Sequence, residues 1–257
     1  MLYFDSHCHL QDDRFKGRIT EVIVRAREAG VAHMLCCGTQ ESDWDAVADL
    51  AKTYHEIIPA FGLHPWFTGN RSATWIDRLQ RLLETHPDAT LGEIGLDHAL
   101  DQRNDAEQAE VFIAQLKLAR ALHRPVSMHC RRAWGEIMRI LEQQCGLPDG
   151  GAIHSFSGPL DLIAQCERLN VSLSFSGSIT HDRNKKGAIA AAAVSPCHLL
   201  IETDSPDIPP SGVGQGQNEP ALLPRVAQRL AEIRELLPEK MAEQTCTNAV
   251  RIFGPRG

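Results

Sequence analysis

The sequence predicts a single-domain α/β fold, a TIM (β/α)8 barrel, from three observations. Apolar, β-rich runs alternate with helix-length stretches along the whole chain, the runs number eight, and the length of 257 residues is near the ~250 typical of such barrels. Strict alternation with short connections requires parallel strands and right-handed crossovers. Two smaller α/β domains would also fit the length, but eight successive units favour one closed barrel over residues 1–257.

The expected strands are short runs rich in β-branched and other apolar residues, and several end in a polar side chain. They are 3–7, 32–38, 57–62, 89–94, 125–129, 151–154, 171–176 and 198–204. In the fifth, Ser127 and His129 alternate with Val126 and Met128, so the polar pair shares one face. We expect the polar face to point into the barrel and the apolar face to point towards the helices.

Helix-length stretches separate the strands. They cover 18–29, 41–54, 73–86, 104–123, 134–145, 159–169 and 184–193, with 221–236 and 238–252 after the last strand. Ser42 and Thr74 near two beginnings, and Gly30 and Pro87 past two ends, are typical start and stop signals. A long irregular connection rich in Pro and Gly, 205–220, follows the eighth strand, where loops of such barrels often hold a substrate phosphate.

Composition indicates an ordinary globular protein, with 43% hydrophobic and 23% charged residues. No apolar run reaches the ~20 residues of a membrane-spanning helix and no leader pattern opens the chain, so we expect a cytoplasmic protein without membrane contact. The eight cysteines form no C-x-x-C pair, which favours reduced thiols. The net charge of −7 argues against a basic surface for duplex DNA but leaves room for a local phosphate pocket.

Polar residues gather at the strand ends, where the active site of such a barrel lies. Seven potential metal ligands or acid–base groups come from six strands: His7, His9, His64, Glu93, His129, His154 and Asp204. So many unpaired groups at one barrel mouth are costly unless a metal or another partner satisfies them. Imidazoles mixed with carboxylates suit zinc, manganese, iron, cobalt or nickel, and the carboxylates also admit magnesium. This number of ligands favours two divalent ions, with Glu93 as the candidate bridge between them.

Three further acidic residues are candidates for supporting roles. By strand parity, Asp5 and Glu202 share the faces of His7 and Asp204, so either could steer a ligand from behind or simply pair with a buried polar neighbour. Asp97 is a third candidate of this kind. For Asp204 we expect a catalytic role as proton acceptor for the attacking water; the alternative is a helix N-cap before the turn at Ser205.

Other residues near the expected mouth could contact substrate. Arg131, which follows a ligand candidate, and His64 are candidates for gripping a phosphate oxygen. Trp66, Phe67 and Trp134 could stack on bases. Such aromatic residues are more often packed anchors of the rim, and we favour that interpretation for Trp134.

These residues stand in segments that resemble the TatD family of metal-dependent hydrolases, in the wider amidohydrolase-like group. The matching segments are Asp5–His9, Gly62–Pro65, Gly92–Asp97, His129–Arg131, His154–Gly158, Glu202–Pro206 and Asn218–Pro220, and they span almost the whole chain. The resemblance implies one ion held by His7, His9, Glu93 and Asp204, and a second held by Glu93, His129 and His154. Two departures are mild: Cys130 stands where Ser is common, and His98 where an aromatic residue is common.

The resemblance also implies an activity, a metal-dependent deoxyribonuclease that commonly acts as a 3′-to-5′ exonuclease. The alternatives are hydrolysis of another anionic ester or amide, such as D-aminoacyl-tRNA, and a non-catalytic metal-binding adaptor. An adaptor would be expected to lack Glu93 or Asp204. Relatives that bridge their metals with a carboxylated lysine are disfavoured, because no lysine stands at the strand ends. We expect a monomer whose acidic exterior confines nucleic-acid contact to the mouth, so that single-stranded DNA ends are preferred.

Overall fold

The computed structural model describes residues 1–255, and its centre is one sheet of eight parallel strands that follow one another in chain order. The strands are β1 (Tyr3–Cys8), β2 (Val31–Cys37), β3 (Ile57–Phe61), β4 (Thr90–Asp97), β5 (Val126–Arg131), β6 (Gly151–Ile153), β7 (Val171–Phe175) and β8 (Leu199–Ile201). Beyond β8, the Asp204 N–H donates to the His7 carbonyl (2.9 Å) and the His9 N–H donates to the Ser205 carbonyl (2.8 Å). These bonds bring the end of the sheet back to β1, and the predicted barrel is confirmed.

Helices cover the outside of the barrel at the predicted places. They are α1 (Ile19–Glu28), α2 (Trp44–Thr53), α3 (Trp75–Thr85), α4 (Asp105–Ala121), α5 (Trp134–Gln143), α6 (Ile163–Arg168), α7 (Lys185–Ala193), α8 (Leu223–Ile233) and α9 (Pro238–Phe253). The beginning of the predicted sixth helix is instead a 3₁₀ turn, Leu160–Leu162. Within residues 1–255, none of the helices has the length and apolar character needed to cross a membrane.

Two apolar clusters fill the space on either side of the sheet. The outer one lies between strands and helices and contains Val126 and Met128 of β5, as the alternation predicts. Cys8 and Cys130 belong to the same outer cluster, away from the polar strand ends. The inner cluster lies near the beginnings of the strands and includes Phe4, Leu35, Ile58 and Leu200 together with Ala249, Ile252 and Phe253. The last three come from α9, so this helix supplies part of the floor of the barrel.

Strand β1 departs from simple alternation. Phe4 belongs to the inner cluster, and the Ser6 hydroxyl lies 2.8 Å from that of Ser174, yet the next residue, His7, also reaches inward to Ser127. The pairing of β1 with β2 shifts in register between Asp5 and Cys8. The expectation that Asp5 shares the face of His7 is therefore wrong, because the irregularity turns two successive side chains towards the interior.

Candidate metal centre

Glu93 lies at the centre of the polar strand ends and is almost fully buried. Its Oε2 atom is 3.3 Å from Nε2 of His7 and 3.5 Å from Nε2 of His9. Its Oε1 atom is 3.0 Å from Nε2 of His154 and 3.2 Å from Nδ1 of His129. The two oxygens of one carboxylate thus face two different pairs of imidazoles.

Asp204 completes the group on the β1 side. Its Oδ1 atom lies 3.6 Å from Nε2 of His9 and 4.0 Å from Nε2 of His7. The helical residues that follow it in the chain begin only at Pro220, so Asp204 does not cap a helix. Its place beside the two imidazoles instead follows from the backbone hydrogen bonds that join residues 204 and 205 to the end of β1.

Hydrogen bonds orient the two β1 imidazoles. Nδ1 of His9 lies 2.8 Å from the Cys37 carbonyl, which can only accept, so the proton of the neutral ring is on Nδ1 and the lone pair is on Nε2. Nδ1 of His7 lies 3.0 Å from the Ser127 hydroxyl, which can accept a proton from the ring or donate one to it. The two Nε2 atoms are 3.3 Å apart and face carboxylate oxygens. When both rings are neutral, these lone pairs and the carboxylates repel each other unless a cation lies between them, and this donor set fits a divalent metal. Without a metal, the carboxylates of Asp204 and Glu93 outweigh the effect of burial and raise the pKa of His9 to about 9.

A carboxylate lies behind each imidazole of the second pair. Nε2 of His129 is 3.2 Å from Oδ2 of Asp97, while its Nδ1 lies 3.2 Å from Nε2 of His154. Nδ1 of His154 lies 3.6 Å from Oε1 of Glu202, and the same Glu202 oxygen accepts the N–H of Ser155 at 2.6 Å. A carboxylate behind an imidazole is the usual partner of a histidine that binds metal.

The separations between these atoms also suit shared ions. Ligand atoms about 2.1 Å from one tetrahedral ion are about 3.4 Å from each other. Apart from the pair His7–Asp204, the separations given above between imidazole nitrogens and the oxygens of Glu93 and Asp204 fall between 3.0 and 3.6 Å. Burial alone would raise the pKa of Glu93, but the imidazoles around it, among them His154, whose own pKa is raised, hold the Glu93 pKa well below its usual range. The central carboxylate is therefore ionised and available to a cation.

His64 differs from the other imidazoles in its tautomer. Its Nδ1 atom accepts the backbone N–H of Trp66 at 3.2 Å, so its proton is on Nε2, which lies 3.4 Å from Oε1 of Glu93. Burial lowers the pKa of His64 to about 4, and the ring is neutral. Although His64, Glu93 and His129 are close enough to form a ligand group, this tautomer makes His64 a hydrogen-bond donor at the site.

Two predicted residues lie further from the imidazoles. The Asp5 carboxylate accepts the backbone N–H of Thr203 at 2.9 Å and its hydroxyl at 2.5 Å, and it lies 3.4 Å from the backbone nitrogen of His7. It therefore braces the backbone between β1 and the residues after β8. Burial raises the pKa of Asp5 to about 7, against the opposing effect of the Thr203 hydrogen bonds. Arg131 is exposed at the end of β5, and within residues 1–255 its guanidinium has no ion-pair partner.

The structure adds contacts that sequence reasoning missed. The Cys37 carbonyl orients His9, and the Cys37 thiol lies 3.4 Å from Nδ1 of His7. Backbone carbonyls carry no residue-specific signal, so only the inward position of Cys37 in β2 could have pointed to it. The indole of Trp66 donates to Oδ2 of Asp97 at 2.7 Å, the same oxygen that faces His129.

Comparison with known proteins agrees with this geometry. The family model described as TatD related DNase matches residues 4–254. The chain is 32% identical to the metal-dependent hydrolase YjjV of Escherichia coli (strain K12) over 98% of its own length and 97% of the relative. It is 31% identical to a 3′-5′ ssDNA/RNA exonuclease TatD of Pantoea ananatis, over 98% and 99% of the two chains.

A solved structure supports the same relationship. The crystal structure of the Escherichia coli K12 TatD homologue YjjV superposes with a TM-score of 0.94 at 31% identity, over 99% of this chain and 98% of that one. The fold, the convergence of imidazoles and carboxylates at the strand ends, and the match along almost the whole chain lead to one conclusion. The protein belongs to the TatD-related DNase family and is a metal-dependent hydrolase.

Proposed function

We propose that the protein is a divalent-metal-dependent deoxyribonuclease that removes nucleotides from the 3′ end of single-stranded DNA. The observation that carries this proposal is the position of Glu93, whose two oxygens face separate pairs of imidazoles. A carboxylate so placed can bridge two cations, and paired cations are typical of enzymes that cleave phosphodiesters. The relative named as a 3′-5′ ssDNA/RNA exonuclease supports this substrate class.

The residues divide into two ligand sets under this proposal. One ion is assigned to His7, His9, Glu93 and Asp204, and the other to Glu93, His129 and His154. Zinc, manganese, magnesium, nickel and cobalt are all compatible with such mixed ligands. Ions bound there would lower the pKa of the attacking water and neutralise negative charge on the ester oxygens. Asp97 and Glu202 hold His129 and His154 in orientation from behind.

Other side chains act on the substrate directly. Asp204 accepts the proton of the attacking water, since its carboxylate lies at the mouth beside His9. His64 donates its Nε2 hydrogen to an oxygen of the substrate, as its tautomer permits. Arg131, exposed at the end of β5, contacts a phosphate with its planar guanidinium.

The rest of the molecule is compatible with a small, localised contact. A net charge of −7 disfavours extended binding of duplex DNA, so the DNA contacts only the barrel mouth of a monomeric protein. The cysteines are free thiols, which agrees with the reducing conditions of the cytoplasm.

The test compares two substrates and two proteins. An end-labelled single-stranded oligonucleotide and a D-aminoacyl-tRNA are incubated with wild type and with Asp204→Asn, with and without a chelator. We expect metal-dependent shortening of the DNA from its 3′ end, and loss of most of this activity in Asp204→Asn, which removes the proton acceptor with little change in volume. Equal DNA degradation by both proteins would assign the activity to a contaminant. If only the aminoacyl ester is cleaved, the substrate is an aminoacyl-tRNA and not single-stranded DNA.

A further inference from the structure

Trp66 combines exposure with a defined position at the barrel mouth. It lies in the 3₁₀ turn Pro65–Asn70, which follows β3 at the end of the barrel that carries the candidate metal centre. Its side chain is 52% exposed, whereas Phe67 packs against the outer apolar cluster. The ring of Trp134 packs edge-on against Phe156, with 5.2 Å between ring centres. Of these three aromatic residues, Trp66 is the one that offers an open ring face to a ligand.

The indole of Trp66 is held at its polar edge. Its Nε1–H donates to Oδ2 of Asp97 at 2.7 Å, and its backbone N–H donates to Nδ1 of His64 at 3.2 Å. The rings of Trp66 and His64 meet edge to face, 4.9 Å apart. A side chain fixed in this way has already lost rotamer freedom before a ligand arrives, so less entropy is lost on binding. The hydrogen-bonded edge is satisfied, which leaves the apolar face as the part that gains from contact.

The position of this ring places a ligand next to the reacting groups. The ring centre of Trp66 is 6.4 Å from that of His129, whose Nδ1 faces Glu93. A flat group lying on the indole is therefore adjacent to an ester bond held at the candidate metal centre. In a nucleic acid, the flat group attached next to each phosphodiester is the base.

We propose that Trp66 is the platform on which the base beside the scissile phosphodiester stacks. The inference rests on the proposed nuclease function and names a contact that discriminates among its substrates. Every base has a π-face, so the contact is tolerant of sequence. It requires an unpaired base that has left its own stack, so Trp66 favours single-stranded ends over duplex.

The experiment is a cycle that removes either the indole or the base. Wild type, Trp66→Leu and Trp66→Phe are assayed on an end-labelled oligonucleotide and on the same oligonucleotide with abasic sites at its last nucleotides. We expect Trp66→Leu to raise KM for the normal substrate about tenfold, since stacking of one base contributes that order of affinity. On the abasic substrate, Trp66→Leu and wild type should behave alike. Trp66→Phe, which keeps an aromatic face, should remain close to wild type.

Metal content is measured in parallel, because Asp97 contacts both Trp66 and His129. We expect Trp66→Leu to keep the wild-type metal content. If Trp66→Leu weakens both substrates equally, or if Trp66→Phe is as impaired as Trp66→Leu, the indole acts only through its neighbours and the stacking proposal is wrong. If wild type hydrolyses neither oligonucleotide, the proposed function itself fails, and the stacking proposal fails with it.

Discussion

At the scale of single residues, Glu93 is the side chain on which the proposed chemistry depends most. It contacts imidazoles from both proposed ligand sets, whereas His129 contacts only the set that includes His154. Removing a shared ligand and removing an unshared one should therefore have different effects on metal content. Substituting Glu93 and His129 in turn therefore tests whether the Glu93 carboxylate binds both ions or only one.

We expect Glu93→Ala to reduce the content of both ions, and His129→Ala to reduce mainly one, because only Glu93 belongs to both proposed ligand sets. Elemental analysis of the purified proteins after dialysis measures this directly, and circular dichroism confirms that both variants are folded. Full metal content in Glu93→Ala would contradict the bridging role.

Arg131 provides a second prediction at this scale, with its neighbour as the control. Both Arg131 and Arg132 are exposed, and Arg131 ends β5 at the mouth. We expect Arg131→Ala to raise KM for single-stranded DNA and to reduce the salt-dependence slope of affinity by about 0.7, the value for one phosphate contact. Arg132→Ala should change the slope much less. Identical slopes in Arg131→Ala and wild type, measured by titration over a range of salt concentrations, would remove Arg131 from the binding surface.

Individual residues also show how far sequence reasoning reaches. Alternation correctly predicted the outward faces of Val126 and Met128, because β5 is regular. It failed for Asp5, because a register shift in β1 cannot be seen in the order of residues. The tautomer of His9 depends on a backbone carbonyl, that of Cys37, which only the folded barrel brings within reach.

At the scale of elements, the long connection after β8 is held in place by hydrogen bonds from two side chains, one within the connection and one outside it. Asn218, whose side chain is buried, donates through Nδ2 to the carbonyls of Thr203 at 2.8 Å and Ile208 at 3.4 Å. Arg14, from the loop after β1, binds the Asp207 carboxylate through both terminal nitrogens. The connection is thus tied to the backbone just before Asp204. Sequence composition predicted its irregularity but not these ties, because they join residues far apart in the chain.

We expect Asn218→Ala to destabilise the protein by about 1–3 kcal/mol, because it leaves buried carbonyl groups without a donor. The free energy of unfolding in urea gives this value, and limited proteolysis should show faster cleavage within residues 205–220. Gln217→Ala, at an exposed neighbouring position, is the matched control and should stay within about 0.5 kcal/mol of wild type. Equal stability of the two variants would mean that Asn218 does not organise the connection.

At the scale of the whole molecule, the two ends of the barrel differ in chemical character. The strand ends carry the imidazoles and carboxylates, while the strand beginnings are sealed by an apolar floor that includes Phe253 of α9. Periodicity predicted α9 as a helix, but a helical pattern does not tell which surface its apolar side covers. That information came only from the assembled barrel.

We expect Phe253→Ala to lower the free energy of unfolding by about 3–5 kcal/mol, the usual cost of emptying a buried aromatic site. Val250→Ala on the same helix, where the side chain is 46% exposed, should change it by less than about 0.5 kcal/mol. Folded Phe253→Ala should retain its metal content, because the floor and the ligands lie at opposite ends of the strands. A small loss of stability would show that Phe253 contributes little to the packing of the apolar floor.

The hydrogen bonds between β1 and the residues after β8 have a consequence for how the enzyme is made. His7 and His9 emerge early from the ribosome, but Asp204, which lies beside them in the folded chain, emerges only after the eighth strand. A nascent chain therefore presents two imidazoles for most of its synthesis without the carboxylate that completes their set. Under the proposed ligand assignment, a prematurely terminated chain that lacks Asp204 has no complete set for this ion, so we expect it to bind the ion more weakly than the full chain does.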